Sequence, residues 1–352
     1  MRTMEFEREL AAVATPGLLR RSYPWLRTAL QLAFAGALLT GLLLRVDRAA
    51  VREQLADADL WWLPLAFAAN IGSDWFRAIR WRHLLSPMRR LPVPFLFGTA
   101  LVGVATNIAL PLRAGEVVRV QVVRRRSGLG AASIVATLVS EKLLDIVAFS
   151  SFIIVGLILY EEAHFLWPLG VAYGALVVAG VIGARYLARR AEQRDGPPVA
   201  KPGFRGWLSR EFHSFAAGLK AFRRPSALFH TIWSSHAAWL VEALAYYAFG
   251  RAIGLDLSPA VYLLVVVAAT IAVSVPVTQA GLGVFELAIT GILVAFGVDV
   301  ATAAAYSIFA HVFYALPYII CGPLAAMSLK LSLSDVFFLR GGRPAEAGPA
   351  ID

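Results

Sequence analysis

The sequence predicts an all-α polytopic membrane protein, with about eight transmembrane helices, one re-entrant segment, and an interrupted apolar stretch that would make a second. Three observations lead there. Apolar residues make up 59% of the 352 and charged residues only 16%, well below the roughly 25% of a soluble domain. Apolar windows of about 20 residues, the length that crosses a hydrocarbon core of about 30 Å, recur along the chain. The formal net charge of +10 lies in the connections between those windows, where anionic leaflet lipids satisfy it, so no nucleic-acid partner is invoked. The single cysteine, Cys321, excludes an intramolecular disulfide and a CxxC metal site.

Each element has its own warrant. Residues 1–28 carry Glu5, Glu7 and Glu9 among arginines, lack a small-x-small cleavage pattern, and read as a cytoplasmic N-terminal segment rather than a leader. A single membrane domain follows over 29–332, with spans expected at 29–46, 60–79, 131–160, 165–187, 228–250, 259–277, 282–297 and 301–329. The stretch 94–112 lies between the basic clusters Arg89–Arg90 and Arg124–Arg126. A crossing there would put the clusters on opposite sides, so it is read as a re-entrant hairpin entering and leaving from the cytoplasmic face. The other connections agree: five basic residues precede the first span, five lie in 77–90 and ten in 185–226, whereas 47–59 is acid-balanced and Glu161–Glu162 is acidic. This asymmetry places both termini in the cytoplasm and the chain in the cytoplasmic (inner) membrane. Within 201–226, Phe204, Trp207, Leu208, Phe212, Phe215, Leu219 and Phe222 recur mostly every three or four residues among lysines and arginines, the pattern of an amphipathic helix on an anionic leaflet. Between 259–277 and 282–297, a break holding Pro276, Gln279, Gly281 and Gly283 joins either two spans or two half-helices buried in protein. The tail 333–352, rich in Gly, Pro and Ala, reads as disordered. Gly170 and Gly174 form a small-xxx-small pair that serves packing within a chain or between copies, so a homo-oligomer stays open.

Few polar residues lie in apolar surroundings, and each needs a partner there. Asp74, Arg77 and Trp81 share one helix face; Arg80 and Arg82 read as cations snorkelling to the headgroup level. Asn107, Pro111, Arg113, Gly115, Glu116 and Arg119 follow at the end of the re-entrant stretch, where a proline break frees backbone amides to face an anion. Glu141, Lys142 and Asp145 lie within one turn, and Glu242, Gln279, Glu286 and His311 come later. For Glu141 and Asp145 three readings stand: ion-pair partners of Arg113 or Lys142, the wall of a polar cavity for a lipid headgroup or a proton, or the start of a metal site that no neighbouring histidine supports. No metal or other cofactor is expected, and the absence of a GxxxxGK[ST] loop leaves ATP coupling without support. The broken segments around Pro111 and Pro276 echo the paired interruptions that form transporter sites near mid-membrane.

The run from Asn107 through Pro111, Arg113, Gly115 and Glu116 to Arg119, then Ser140-Glu141-Lys142 to Asp145, then Pro276 through Gln279, Gly281 and Gly283 to Glu286, resembles the family related to the transmembrane region of lysylphosphatidylglycerol synthase. Its members are often described as flippase-like, and the likeness runs from about residue 28 to about 332. The resemblance implies a helical membrane fold with re-entrant elements that moves or handles a phospholipid or an isoprenoid-linked lipid. In that light Arg113 and Arg119 hold a phosphate. Glu116, Glu141, Lys142, Asp145, Glu286 and His311 contact the rest of the headgroup or carry a proton. Asn107 and Gln279 donate hydrogen bonds at the breaks, Gly115, Gly281 and Gly283 permit close backbone approach, and Pro317 shapes the last helix. Family members tend to carry an arginine where His311 precedes Tyr314 and Pro317. Only about a dozen residues follow Arg340, so the aminoacyl-transferase domain of the best-known members is not expected on this chain. Two other classes stay open: an accessory protein of envelope lipid or glycolipid assembly, and an intramembrane enzyme built on Ser140 beside Glu141.

Overall fold

The computed structural model describes residues 33, 36–38, 40–42, 44, 48–110, 113–192, 214–215, 218–219, 225–274 and 278–331. Ten α-helices follow in order among them: α1 Arg48–Ala56, α2 Leu63–Leu85, α3 Val93–Ala109, α4 Ala114–Ser127, α5 Ala131–Leu159, α6 Trp167–Glu192, α7 Pro225–Ala252, α8 Val261–Ser274, α9 Val284–Ala295 and α10 Val300–Ser328. No strand occurs among the described residues. The chain is an all-α polytopic membrane protein. By length and composition, three stretches among the described residues suffice to cross a bilayer, Ala131–Leu159, Glu161–Gly183 and Val300–Ser328. The expectations for 1–28, for 333–352, for Pro111 and Pro276, and for most of 29–46 and 201–226 fall outside the described residues.

Local chemistry sets the boundaries. Proline occupies the first turn of α2 and of α3, where its missing N–H costs nothing. Gly128, at φ 71°, closes α4, and the Asp299 side chain accepts from Thr302 N to open α10.

Side-chain contacts fix the direction of each helix. α2 and α7 pack antiparallel: Trp62 meets the Tyr247 ring at one end, and His83 stacks on His230 at the other. α5 starts where α2 finishes, with Leu84, Leu85 and Ile134 in one buried cluster. At the opposite end Tyr160, which follows α5, meets Phe296, which follows α9. The bundle therefore has one end rich in arginine, with Arg89, Arg90 and Arg124–Arg126, and a far end holding Asp59, Arg251, Asp256 and Tyr160. α6 packs along α5, with Gly170 against Ile153 and Gly180 against Leu143. Of the segment 201–226, the described residues Phe215 and Leu219 pack beside Ala136 and Leu143 of α5.

Two helical hairpins enter this bundle from opposite ends. The first is α3 and α4. Arg89, just before α3, donates to the carbonyl of Ser127 at the end of α4, 2.8 Å away, so both open ends lie together at the arginine-rich end. The second is α8 and α9, which begin and finish at the far end: Tyr262 of α8 meets the Tyr247 ring there, and Phe296 meets Tyr160. The structure thus differs from the sequence expectation at one place and decides an open question at another. Residues 93–109 form one helix rather than a hairpin, and the return limb is α4, whose arginines and low apolar content hide it. At 259–297, left open between two spans and two half-helices, α8 and α9 have 14 and 12 residues, about 21 and 18 Å, each too short to cross about 30 Å alone.

Candidate functional site

The hairpin tips meet. Leu110 and Arg113 from the first, and Thr278, Ala280 and Gly281 from the second, line one cavity of about 220 Å³, walled elsewhere by the middles of α2, α5, α7 and α10. Both tips use left-handed backbone at residues with side chains, Arg113 at φ 55° and Ala280 at φ 53°. The first hairpin closes through two glycines: a Cβ on Gly115 would stand 1.8 Å from the Gly103 carbonyl oxygen, so only glycine allows this approach. Asn107 Oδ1 accepts from Gly115 N at 2.8 Å and fastens the turn.

The cavity wall is ionic. Arg119 donates through Nη1 to Glu116 at 3.1 Å and through Nη2 to both oxygens of Glu141, at 3.2 and 3.0 Å. Its guanidinium lies 4.2 Å over the Trp81 ring. Arg80 is buried and donates to Asp145 Oδ1 at 2.6 Å and to Ser235 at 3.1 Å, while Trp239 donates to the same Asp145 oxygen at 2.8 Å. Arg77 donates to Ser73, Asp74 and Glu242 at 2.7, 3.2 and 3.0 Å, and stacks 4.3 Å over Trp239. Among the described residues Arg113 makes no ion pair with a carboxylate, and it lines the cavity at the tip.

Of the residues singled out from the sequence, Asn107, Arg113, Glu116, Arg119, Glu141, Lys142, Asp145, Gly281 and His311 line the cavity. Glu286 stands behind it: one carboxylate oxygen accepts from Gly283 N at 2.6 Å and the other lies 2.6 Å from His311 Nδ1. Gln279 lies in the short turn Gln279–Gly281, and its side chain is outside what the structure describes. Pro317 is buried inside α10. One assignment changes and one is extended. Glu141 pairs with Arg119 rather than Arg113 or Lys142, whereas Asp145 has its expected ion pair with Lys142 at 3.5 Å and a shorter one with Arg80. Arg80, read as snorkelling, is only 2% exposed. Sequence reasoning set aside the wall of Asp74, Arg77, Arg80 and Trp81 on α2, and missed Trp239 on α7 and Tyr318 on α10. Asp74, Arg77 and Trp81 were findable, because their spacing puts them on one face; nothing in the sequence marks the burial of Arg80, or Trp239 or Tyr318. Among the described residues no cluster of three metal-ligating side chains occurs.

Two opposed hairpins whose tips meet at a charged cavity inside a helical bundle define a multi-pass integral membrane protein with a polar site enclosed at mid-bundle. Residues 28–322 match the family model for the lysylphosphatidylglycerol synthase TM region, and the chain belongs to that family. It is also similar to the glycosyltransferase AglD of Haloferax volcanii, 25% identical over 341 residues, which cover 85% of this chain and 55% of that protein. The chain therefore spans about half the length of that relative. Family and relative together connect the fold to membrane lipid.

Proposed function

We propose that this protein moves the polar headgroup of a phospholipid or an isoprenoid-linked lipid across the cytoplasmic membrane, with the acyl or prenyl chains left in the bilayer. The meeting of two hairpin tips, one from each end of the bundle, at an enclosed ionic cavity carries this reading: such a site is reached from either leaflet by displacing one tip, as in transporters with broken helices. The headgroup phosphate engages Arg113, which among the described residues has no carboxylate within ion-pair distance, and Arg119, whose orientation Glu141 and Trp81 hold. Asp145, Glu116 and Lys142 complete the wall. Glu286 acts through His311 and Gly283, setting the second tip rather than touching the lipid. The excess of arginine near Arg89 and Arg124 supports a cytoplasmic side for that end, against anionic lipid.

Proteoliposomes with labelled anionic phospholipid and polyprenyl-phosphate probes test this directly. The parent is expected to move at least one probe, and Arg113→Ala and Glu141→Ala, shown to be folded, to lose that movement. A folded parent that moves none would sink the reading. The likeness to a glycosyltransferase supports a second one, in which the domain presents a lipid acceptor to an enzyme of glycolipid assembly; tight lipid binding without translocation would favour it.

A further inference from the structure

Among the described residues each carboxylate beside the cavity has an ion partner, and one partner differs in kind from the rest. Asp74 and Glu242 share Arg77, Glu116 and Glu141 share Arg119, and Asp145 takes Arg80 and Lys142. Guanidinium and ammonium groups ordinarily keep their charge at neutral pH. Glu286 is paired with His311 instead, 2.6 Å from Nδ1, and imidazole is the side chain whose ordinary charge change falls between about pH 5 and 8. The Phe285 ring packs on this imidazole, 4.4 Å between centroids. With Nδ1 donating to the carboxylate, Nε2 is the ring position left to take a proton, and His311 lines the cavity. The second oxygen of Glu286 accepts from Gly283 N at 2.6 Å, so a single carboxylate ties the titratable ring to the second hairpin tip.

Charge decides what accompanies that proton. Arg77, Arg80, Arg113, Arg119 and Lys142 stand against the carboxylates of Asp74, Glu116, Glu141, Asp145, Glu242 and Glu286. With His311 neutral, these groups hold one more negative charge than positive, which opposes an anionic headgroup; a proton on His311 removes the opposition. By reciprocity the bound anion favours the proton as much as the proton favours the anion. The other elements packed near the pair bring no competing charge: α3 and α8 contain none, α1 meets α10 at Ala304 and Ala305 rather than at His311, and α10 itself adds only the phenols of Tyr314 and Tyr318 to the lining.

Resting on the transport reading, we propose that the His311–Glu286 pair is the coupling-ion site of this protein, binding one proton that crosses the membrane together with the anionic headgroup. A proton from water on one side adds to Nε2 as the headgroup enters, and both leave on the other side. One proton with one phosphodiester carries no net charge, so the coupled movement follows a pH difference and ignores voltage.

The equilibrium of such a symporter does not depend on which way it is inserted, which makes vesicles of mixed orientation a fair test. Proteoliposomes with a trace of NBD-labelled phosphatidylglycerol receive a pH difference of one unit, with voltage clamped at zero by potassium and valinomycin, and dithionite bleaching reads the outer-leaflet fraction. The parent is expected to enrich the probe in the alkaline leaflet by about 10-fold, the ratio of proton activities. His311→Arg fixes the charge and His311→Gln removes it. Each is expected to show an asymmetry under about 1.5-fold, because the proton no longer binds with the lipid, and to follow an imposed voltage to which the parent does not respond. Should a variant move no lipid, proton uptake on binding dihexanoyl-phosphatidylglycerol in weakly buffered detergent solution reads the same linkage, with uptake by the parent and none by the variants. Movement by the parent without pH asymmetry overturns the proposal and leaves the transport reading standing. So does an asymmetry that persists in both His311 variants, and its loss in Asp74→Asn would then put the proton on the carboxylates around Arg77. A parent that leaves phosphatidylglycerol unmoved overturns the proposal, and the transport reading with it where polyprenyl phosphate is unmoved too.

Discussion

Arg113 adopts φ 55° and ψ 42°, a conformation that costs an L-residue about 1–2 kcal/mol, at the point where its side chain reaches the cavity. Strain held where charge is presented marks a position kept for its side chain. Arg113→Gly is therefore expected to be more stable than Arg113→Ala by about 1 kcal/mol, and both to be equally deficient in headgroup translocation; thermal unfolding in detergent beside the vesicle assay separates the two effects. Arg80 shows the reverse, a charge kept for architecture. Replacing it with methionine leaves Asp145 buried with the Trp239 N–H and the Lys142 ammonium at 3.5 Å, and is expected to cost about 3 kcal/mol, most of it regained in Arg80→Met with Asp145→Leu. The sequence offered no way to tell these arginines apart. Arg77, Arg80 and Arg82 follow one another on one helix, and only the partners on α5 and α7 decide which is buried. For Arg113 the neighbouring proline and glycine did point to a turn, so its place at a break was legible.

Hairpins are the elements on which the site depends, and the α3–α4 hairpin depends on the contact of Gly103 with Gly115. Gly115→Ala would press a methyl group into a carbonyl and against Asn107 Oδ1, 2.8 Å from that Cβ. The nearest atoms are Gly103 backbone, which cannot yield cheaply, so a loss of about 3 kcal/mol or more is expected, seen as a lowered unfolding temperature. Gly174→Ala on α6, where a Cβ meets nothing within 4 Å, is the neutral control. The flanking basic clusters correctly indicated that the chain comes back to the side it left. They misplaced the turn, because α4 looks like a loop: Arg119, Arg124, Arg125 and Arg126 break up its apolar pattern, and Arg119 points inward only because Trp81 and Glu141 receive it. At 259–297 the break itself was legible and left two spans or two half-helices as readings; the left-handed glycines settle on the second, Gly281 and Gly283 both lying at φ 82°.

At the scale of the molecule, the arrangement makes a claim about sides. The open end of the first hairpin and that of the second lie on opposite faces of the bundle. In a background with Cys321 replaced, a cysteine at Arg126 is expected to react with an impermeant thiol reagent from the cytoplasmic face alone, and one at the exposed Asp256 from the other face alone; labelling of both from one face would contradict the arrangement. The expectation about sides rests on uneven arginine content, a signal that needs no knowledge of packing, and this labelling is its test. The meeting of the two tips was not legible, because it arises from packing between segments more than 150 positions apart, α3 and the turn Gln279–Gly281. One feature of that packing reaches back to how the chain is made. On its own α4 is a poor guest for lipid, since an arginine at the middle of a membrane helix carries an insertion penalty of about 2.5–3.5 kcal/mol. The carboxylate that accommodates Arg119 is Glu141, which the ribosome adds 22 residues later. Integration of α4 must then wait for the chain that follows it, and Glu141→Gln is expected to show itself first as a deficit of membrane-integrated nascent protein in a pulse-labelled translation reaction, before any lipid is offered.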